Sequence, residues 1–422
     1  MTGFSYGWPS PSIPKLLDGS HVSVTNDQTA WLAVINILFS IPGAVVAGWA
    51  LDKIGRQKII LFLGWPNLIA WLLIAFSTRV EMLFIARAIV GFVDAFVFIA
   101  IPLYVGEIAL ANTRGLLGSL TSVSLVLGIA IINAIGHYLS IYTTALICAG
   151  LPIIYTILVY FAIESPYYHI MNDQHEDAKH CLRKHRGVED VDDEFIRLAT
   201  VIQEDQRNKG HFMDLFTVSS NRKALLIMCG LRTIQQFSGI SAITFYTPKI
   251  LTIDHIVVIY FGVQLFMTCI ASIIVDKAGR RPLLILSSMG TGFASTVVAV
   301  YYFLLQRTLV DLSNLEYLPV IAMIMYIVLH SVGLYTIPLL MISEVFPTSV
   351  KSYAIAILDL YFCLCVTASA QFFYVTLTFE GMYLALFCFA MFSFAGTVFI
   401  HIFVPETKGK TLEDVVDHFK RR

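Results

Sequence analysis

The chain has 422 residues, of which 57% are hydrophobic and only 14% charged, with a mean hydropathy of +0.76. Soluble proteins carry about a quarter charged residues, so the bulk of this chain is expected in lipid. Its net charge of −1 gives no sign of nucleic acid or of an acidic partner, and its seven cysteines show no CxxC pair or metal spacing.

A helix needs about 20 apolar residues to cross the hydrocarbon core. Residues 1–17 are a weak first candidate, short, with three prolines and no polar lead, so this helix looks clipped. Five strong segments follow, near 28–51, 57–77, 81–109, 114–136 and 141–163. A polar stretch of 58 residues, 164–221, comes next; Gln174 to Arg186 and Val191 to Arg207 have helical spacing with one thin apolar face, which predicts short surface helices. Six more strong segments lie near 222–250, 256–275, 282–305, 317–342, 350–376 and 381–404. Of the 28 Lys and Arg residues, 22 fall in gaps on one side of the membrane, and four (Lys15, Arg79, Lys249 and Arg307) in gaps on the other. This bias puts the 164–221 stretch, the tail and both termini in the cytoplasm, and the alternation requires residues 1–17 to be a crossing. The expected architecture is an all-α membrane protein of twelve transmembrane helices in two six-helix bundles, 1–163 and 222–404, joined by the linker 164–221 and followed by the tail 405–422.

Polar signatures recur in the same order in both halves. Asp52-Lys53-Ile54-Gly55-Arg56-Gln57 matches Asp276-Lys277-Ala278-Gly279-Arg280-Arg281. Glu107 stands seven residues before Arg114, and Glu344 seven before Lys351; Glu164-Ser165-Pro166 closes one half and Pro405-Glu406-Thr407 the other. Such pairing marks a duplicated membrane unit, the sign of a transporter. Arg87 is an ionisable group inside the fourth span and functional by default, snorkelling being the alternative; Asp94 lies seven residues later on the same face, too far for direct pairing. Asp94, or Asp359 in the eleventh span, is a candidate proton carrier or a partner in a polar contact. No Ser/His/Asp arrangement, metal cluster or phosphate loop suggests an enzyme.

With Arg87-x-x-x-Gly91, Pro102-Leu103-Tyr104-Val105-Gly106-Glu107, Gln235-Gln236-Phe237-Ser238-Gly239-Ile240, Glu344-x-Phe346-Pro347 and Pro405-Glu406-Thr407-Lys408-Gly409, the chain resembles the sugar porter family of the major facilitator superfamily over nearly its whole length. Trp8-Pro9-Ser10-Pro11 and Gln-Gln-Phe-Ser-Gly look most like the insect facilitated trehalose and glucose transporters. The resemblance implies a plasma-membrane monomer that moves trehalose or a hexose by alternating access, with no cofactor or metal and with sugar and lipid as its only partners. Its central site would use Gln235, Gln236 and Gln264, whose amides both donate and accept; helix-to-helix hydrogen bonding is the competing role. Tyr246, placed on one face with Gln235, Gly239 and Ala242, would gate or stack, or simply pack. Arg56, Glu107, Arg114 and Glu164 in one half, with Asp276, Arg280, Arg281, Glu344, Lys351 and Glu406 in the other, would form a cytoplasmic gating network. Positive-inside topology explains lysines such as Lys53 but not the acids.

The chain departs from that family at several sugar positions. Ser122 and Ser241 stand where the family has amides, Tyr335-Thr336-Ile337-Pro338-Leu339 replaces Gly-Pro-x-Pro-Trp, and Phe362-Cys363 replaces Asn-Trp. The first span, Tyr6 to Ser10, lacks the acid of proton-coupled members, which favours a facilitator over a proton symporter unless Asp94 substitutes. A transport-incompetent sugar sensor is the third reading.

Overall fold

The computed structural model describes residues 1–109, 114–207, 211–251, 253, 255–307 and 313–408. The first crossing is α1 (Thr2–Gly7) and α2 (Pro9–Leu17), and the second is α3 (Asn26–Ile54). The third is α4 (Arg56–Phe62) with α5 (Gly64–Ala75); α6 (Val80–Ile108), α7 (Arg114–Tyr138) and α8 (Ile141–Tyr160) complete the first six. The linker folds into α9 (Pro166–Met171), α10 (His175–Arg186), α11 (Asp192–Arg207) and α12 (Asp214–Thr217). The second six are α13 (Ser219–Phe237) with α14 (Ile240–Ile250), α15 (Ile256–Ala278), α16 (Arg280–Arg307), α17 (Leu318–Val332) with α18 (Ile337–Val345), α19 (Thr348–Phe379) and α20 (Met382–Phe403). Among the described residues, ten of these crossings are long and apolar enough to span a bilayer, and the first and seventh are not among the ten. The side of the molecule bearing the two repeated loops and the linker is called the signature side below.

Residues 1–17 are buried along most of their length, packed against α7. Lys15 Nζ donates to the carbonyls of Gly136 (2.5 Å) and His137 (3.3 Å), so a cation satisfies the exposed acceptors at the end of α7. The start of α3 is fixed by a capping box, in which Thr25 accepts from the Gln28 amide and Gln28 returns the bond. Farther along, the missing Cβ of Gly91 lets α6 meet the Asn36 carbonyl of α3 at a distance that no larger residue allows.

Two spans expected as continuous helices are broken. In the seventh, Gly239 takes φ +100°, separating α13 from α14, and a Cβ there would run into the Phe389 ring. The Ser238 carbonyl freed by the break accepts the Tyr326 hydroxyl (3.1 Å). The face drawn through Gln235, Gly239, Ala242 and Tyr246 is therefore not a single helical face. In the tenth, the chain leaves the helix between Val332 and Ile337, and Ser287 Oγ accepts from the Leu334 amide (3.0 Å). Broken helices inside a membrane are tolerated only where other groups satisfy the freed backbone.

The linker helices pack on a small apolar core of Ile170, Ala178, Leu182, Val191, Leu198 and Ile202, as their spacing predicts. Arg186 ties this unit to the first six helices, donating to Glu194 (2.8 Å) and to the Ile108 carbonyl at the end of α6 (2.9 Å).

The described hydrogen bonds that join the first six crossings to the last six run from mid-membrane to the side away from the signature loops. They are Ser40 to Cys363 (3.2 Å), Tyr6 to Ser241 (2.7 Å), Gln371 to the Ala30 carbonyl (3.1 Å), Tyr374 to Asp27 (2.7 Å) and Tyr138 to His255 (3.0 Å). One apolar core seals this region, drawing Ile13, Val34 and Ile129 from the first half and Ile243, Phe245 and Phe373 from the second.

Candidate functional site

An amide cluster sits on α13 just before the break at Gly239. Gln235 is 4% exposed and its amide is fully committed: Nε2 donates to the carbonyls of Leu334 (2.7 Å) and Tyr335 (3.2 Å), and Oε1 accepts from Arg232 (3.0 Å). It thus patches the break in the tenth crossing. Gln236 is as deeply buried but faces another way, its Oε1 accepting from Ser241 Oγ (2.5 Å). Ser241 also meets the Tyr6 hydroxyl, so a chain of three polar groups crosses from the second half to the first in mid-membrane. Gln264 on α15 is buried with Oε1 lacking any described partner. A buried amide oxygen left unpaired costs about 1–3 kcal/mol, which a ligand hydroxyl would relieve.

The other sequence candidates separate from this cluster. Tyr246 is fully buried in the core that joins the halves, its ring 5.4 Å from Phe373. Ser122 is half-buried on α7, and no described hydrogen bond links it to the amides. Arg87 spends its donors on the Leu32 carbonyl (3.2 Å), the Ser5 carbonyl (2.6 Å) and Asn36 Oδ1 (2.8 Å), with its guanidinium 5.1 Å from the Trp8 ring. It therefore staples three crossings through neutral acceptors. Asp94 is buried on the same helix, and its Oδ1 has no described partner.

At the signature side each half carries a charge clasp of the same design. In the first, Glu164 Oε1 accepts from the amides of Arg56 (3.0 Å), Gln57 (3.0 Å) and Ser165 (2.9 Å), capping α4 with a carboxylate. Arg56 in turn binds Glu107 (3.0 Å) and the Leu51 carbonyl (3.1 Å), and Ser165 Oγ donates to Glu107 Oε2. In the second, Glu406 accepts from the amides of Arg280 and Arg281 (3.0 Å each), capping α16. Arg280 binds Glu344 (2.9 Å) and the Val275 carbonyl (3.2 Å), and Thr407 Oγ1 donates to Glu344 Oε2 (2.5 Å). Burial works against the Glu406 charge, but the surrounding N–H donors outweigh it and hold the carboxyl below its ordinary range. Arg281 also donates to the His401 carbonyl, and Lys351 is half-buried in the first turn of α19. The side chains of Arg114 and Asp276 lie outside the described residues.

The described bonds of these clasps close within each half. The hydroxyls of Ser165 and Thr407 are members that sequence reasoning passed over, although a hydroxyl residue follows the glutamate in both copies. Arg232 and Tyr6 are further members to which the sequence pattern assigns no role.

The sugar (and other) transporter family profile matches residues 13–419. A facilitated trehalose transporter, Tret1, of Apis mellifera ligustica is 30% identical over 99% of this chain and 85% of its own length. Tret1 of Bombyx mori is also 30% identical, over 98% of this chain and 83% of its own length. Among solved structures, the inward-open xylose transporter XylE from E. coli superposes with a TM-score of 0.80 at 20% identity, covering 99% of this chain and 97% of that one. The proton:xylose symporter XylE bound to 6-bromo-6-deoxy-D-glucose superposes with 0.75 at 20% identity and the same coverage. With twelve crossings in two six-helix sets, duplicated clasps and a profile match over nearly its full length, this chain belongs to the sugar (and other) transporter family.

Proposed function

We propose that this protein moves a neutral sugar, trehalose or a hexose, down its gradient across the plasma membrane. Residues 1–163 and 222–404 act as two units that rock about a mid-membrane site, with 164–221 as linker and 405–422 as tail. The signature side faces the cytoplasm, as the 22 cations gathered there favour, and the protein works as a monomer. Gln236, Ser241 and Gln264 contact the sugar, and Gln235 holds the pocket wall. Support comes from the kinship with facilitated trehalose transporters and, above all, from the polar chain Gln236–Ser241–Tyr6 that bridges the halves inside the membrane. Hydroxyls and amides buried there cost free energy without a partner, and a sugar supplies donors and acceptors to both halves at once. The described bonds between the halves lie on the outer side and the described clasp bonds stay within each half, which supports an inward-facing conformation. Reversal would bring the two clasps towards each other and part the outer contacts.

Uptake of labelled trehalose and D-glucose into oocytes at external pH 5.5 and 7.5 tests this reading. Saturable uptake, equal at the two pH values, is expected. Absence of uptake for either sugar, with the protein at the surface, would refute it. A second reading, proton coupling, is favoured by the buried, unpartnered Oδ1 of Asp94. It predicts uptake driven by acid pH and abolished by Asp94→Asn.

A further inference from the structure

The eleventh crossing meets the first half along one face, through Tyr374, Gln371 and Cys363. Asp359 lies four residues before Cys363, one turn nearer the signature side on the same face. It therefore sits one turn beyond the described inter-half hydrogen bond nearest the signature side. Its side chain is 37% exposed within an otherwise apolar span. Ionisable side chains within membrane spans almost always face the bundle interior or a water-filled cavity, so the exposed part of this carboxylate is assigned to the space between the halves.

Arg232, 5% exposed, lies 3.6 Å from the Asp359 carboxylate. Its guanidinium stacks 4.7 Å from the Phe362 ring, and Nη1 is given to Gln235. The Nε–H is buried with no described partner. The pair thus offers a carboxylate with open acceptor positions beside a buried, unspent donor, in contact with the amide cluster. Two amides that the resemblance places here are absent, since Ser241 and Phe362 occupy those positions.

We propose that Asp359 and Arg232 are substrate ligands. The Asp359 carboxylate accepts from vicinal hydroxyls of a neutral polyol, and Arg232 Nε–H donates to one of its oxygens. The assignment rests on the transport reading above and adds a selectivity: an anionic sugar meets the carboxylate and is turned away.

The test is uptake kinetics of labelled trehalose and D-glucose in oocytes, with surface protein quantified. Asp359→Asn keeps the shape but removes the charge, and KM is expected to rise about tenfold at near-normal surface level. An unchanged KM overturns the assignment. The double exchange Arg232→Asp with Asp359→Arg re-forms an ion pair but moves the acceptor. Recovered surface protein with poor affinity supports a ligand role, whereas full recovery of KM shows a purely structural pair and overturns it. Where Asp359→Asn fails to reach the surface, this exchange decides. Glucuronate is expected not to compete with labelled D-glucose; competition as strong as that of unlabelled glucose overturns the selectivity. A wild type inert to both sugars refutes the transport reading and this assignment with it, whereas an altered KM is read only against a wild type that transports.

Discussion

Gln235 and Gln236 are neighbours in sequence with different duties. Gln235 satisfies two carbonyls released by the break in the tenth crossing and accepts from Arg232. Gln236 accepts one hydroxyl, from Ser241, which keeps Tyr6 as a partner if the amide is removed. Removing a partner from a buried polar group costs about 1–3 kcal/mol, so Gln235→Ala strands several groups and Gln236→Ala few. Gln235→Ala is expected to lower the melting temperature of the detergent-purified protein and its surface level. Gln236→Ala is expected to fold normally and raise sugar KM about tenfold. Equal effects of the two substitutions on stability would contradict this division. Both glutamines were visible in the sequence because an amide inside an apolar span calls for a partner. Their separate roles were not, since the carbonyls that Gln235 serves lie 99 and 100 residues away, at a break that no local pattern announces.

At the scale of elements, the repeat of the signatures foretold a repeat of structure. Arg56, Glu107, Glu164 and Ser165 recur as Arg280, Glu344, Glu406 and Thr407, each making the same bond. Each clasp binds a helix start, a helix end and the segment after the sixth crossing of its half, so it stiffens a half. Spacing located these residues but left open whether they pair within a half or across halves. The answer depends on tertiary geometry and on conformation. At Gly239 both the positive φ and the Phe389 ring, packed from a distant helix where a Cβ would lie, call for glycine. Glu406 gives the clasp a pH dependence. Its folded-state carboxyl is held below the ordinary value, so its stabilisation is complete above the unfolded pKa of about 4.3 and disappears as pH falls through the folded value. Wild-type protein is expected to melt about 2 °C above Glu406→Gln at pH 7. That gap is expected to narrow progressively as pH falls below about 4.3. A gap that does not change with pH across the acid range, measured by light scattering or intrinsic fluorescence, would show that the charge contributes nothing to the clasp.

For the whole molecule, transport by rocking requires that the contacts now joining the halves come apart in each cycle. Ser40 of α3 and Cys363 of α19 are the described contact nearest the signature side on that face, with Oγ and Sγ 3.2 Å apart. An S–S bond is about 2.05 Å long, so side-chain rotation must bring the two sulfurs about 1 Å closer than that hydrogen-bond contact. Ser40→Cys places a second thiol against Cys363, and mild oxidation is expected to cross-link the second and eleventh crossings. In the cross-linked protein sugar uptake is expected to fall at least tenfold and to return on reduction, while oxidant leaves the wild type unaffected. Cross-linking is read from retained linkage between the halves after proteolytic cleavage of the linker. Full uptake by a demonstrably cross-linked protein would mean that α3 and α19 stay together through the cycle. The pivot would then lie at this contact, and the moving parts would be the helices on either side of it. The same experiment bears on Asp359, one turn away. A locked molecule keeps that carboxylate open to the signature side, so it should still bind sugar from that side while failing to release it on the other.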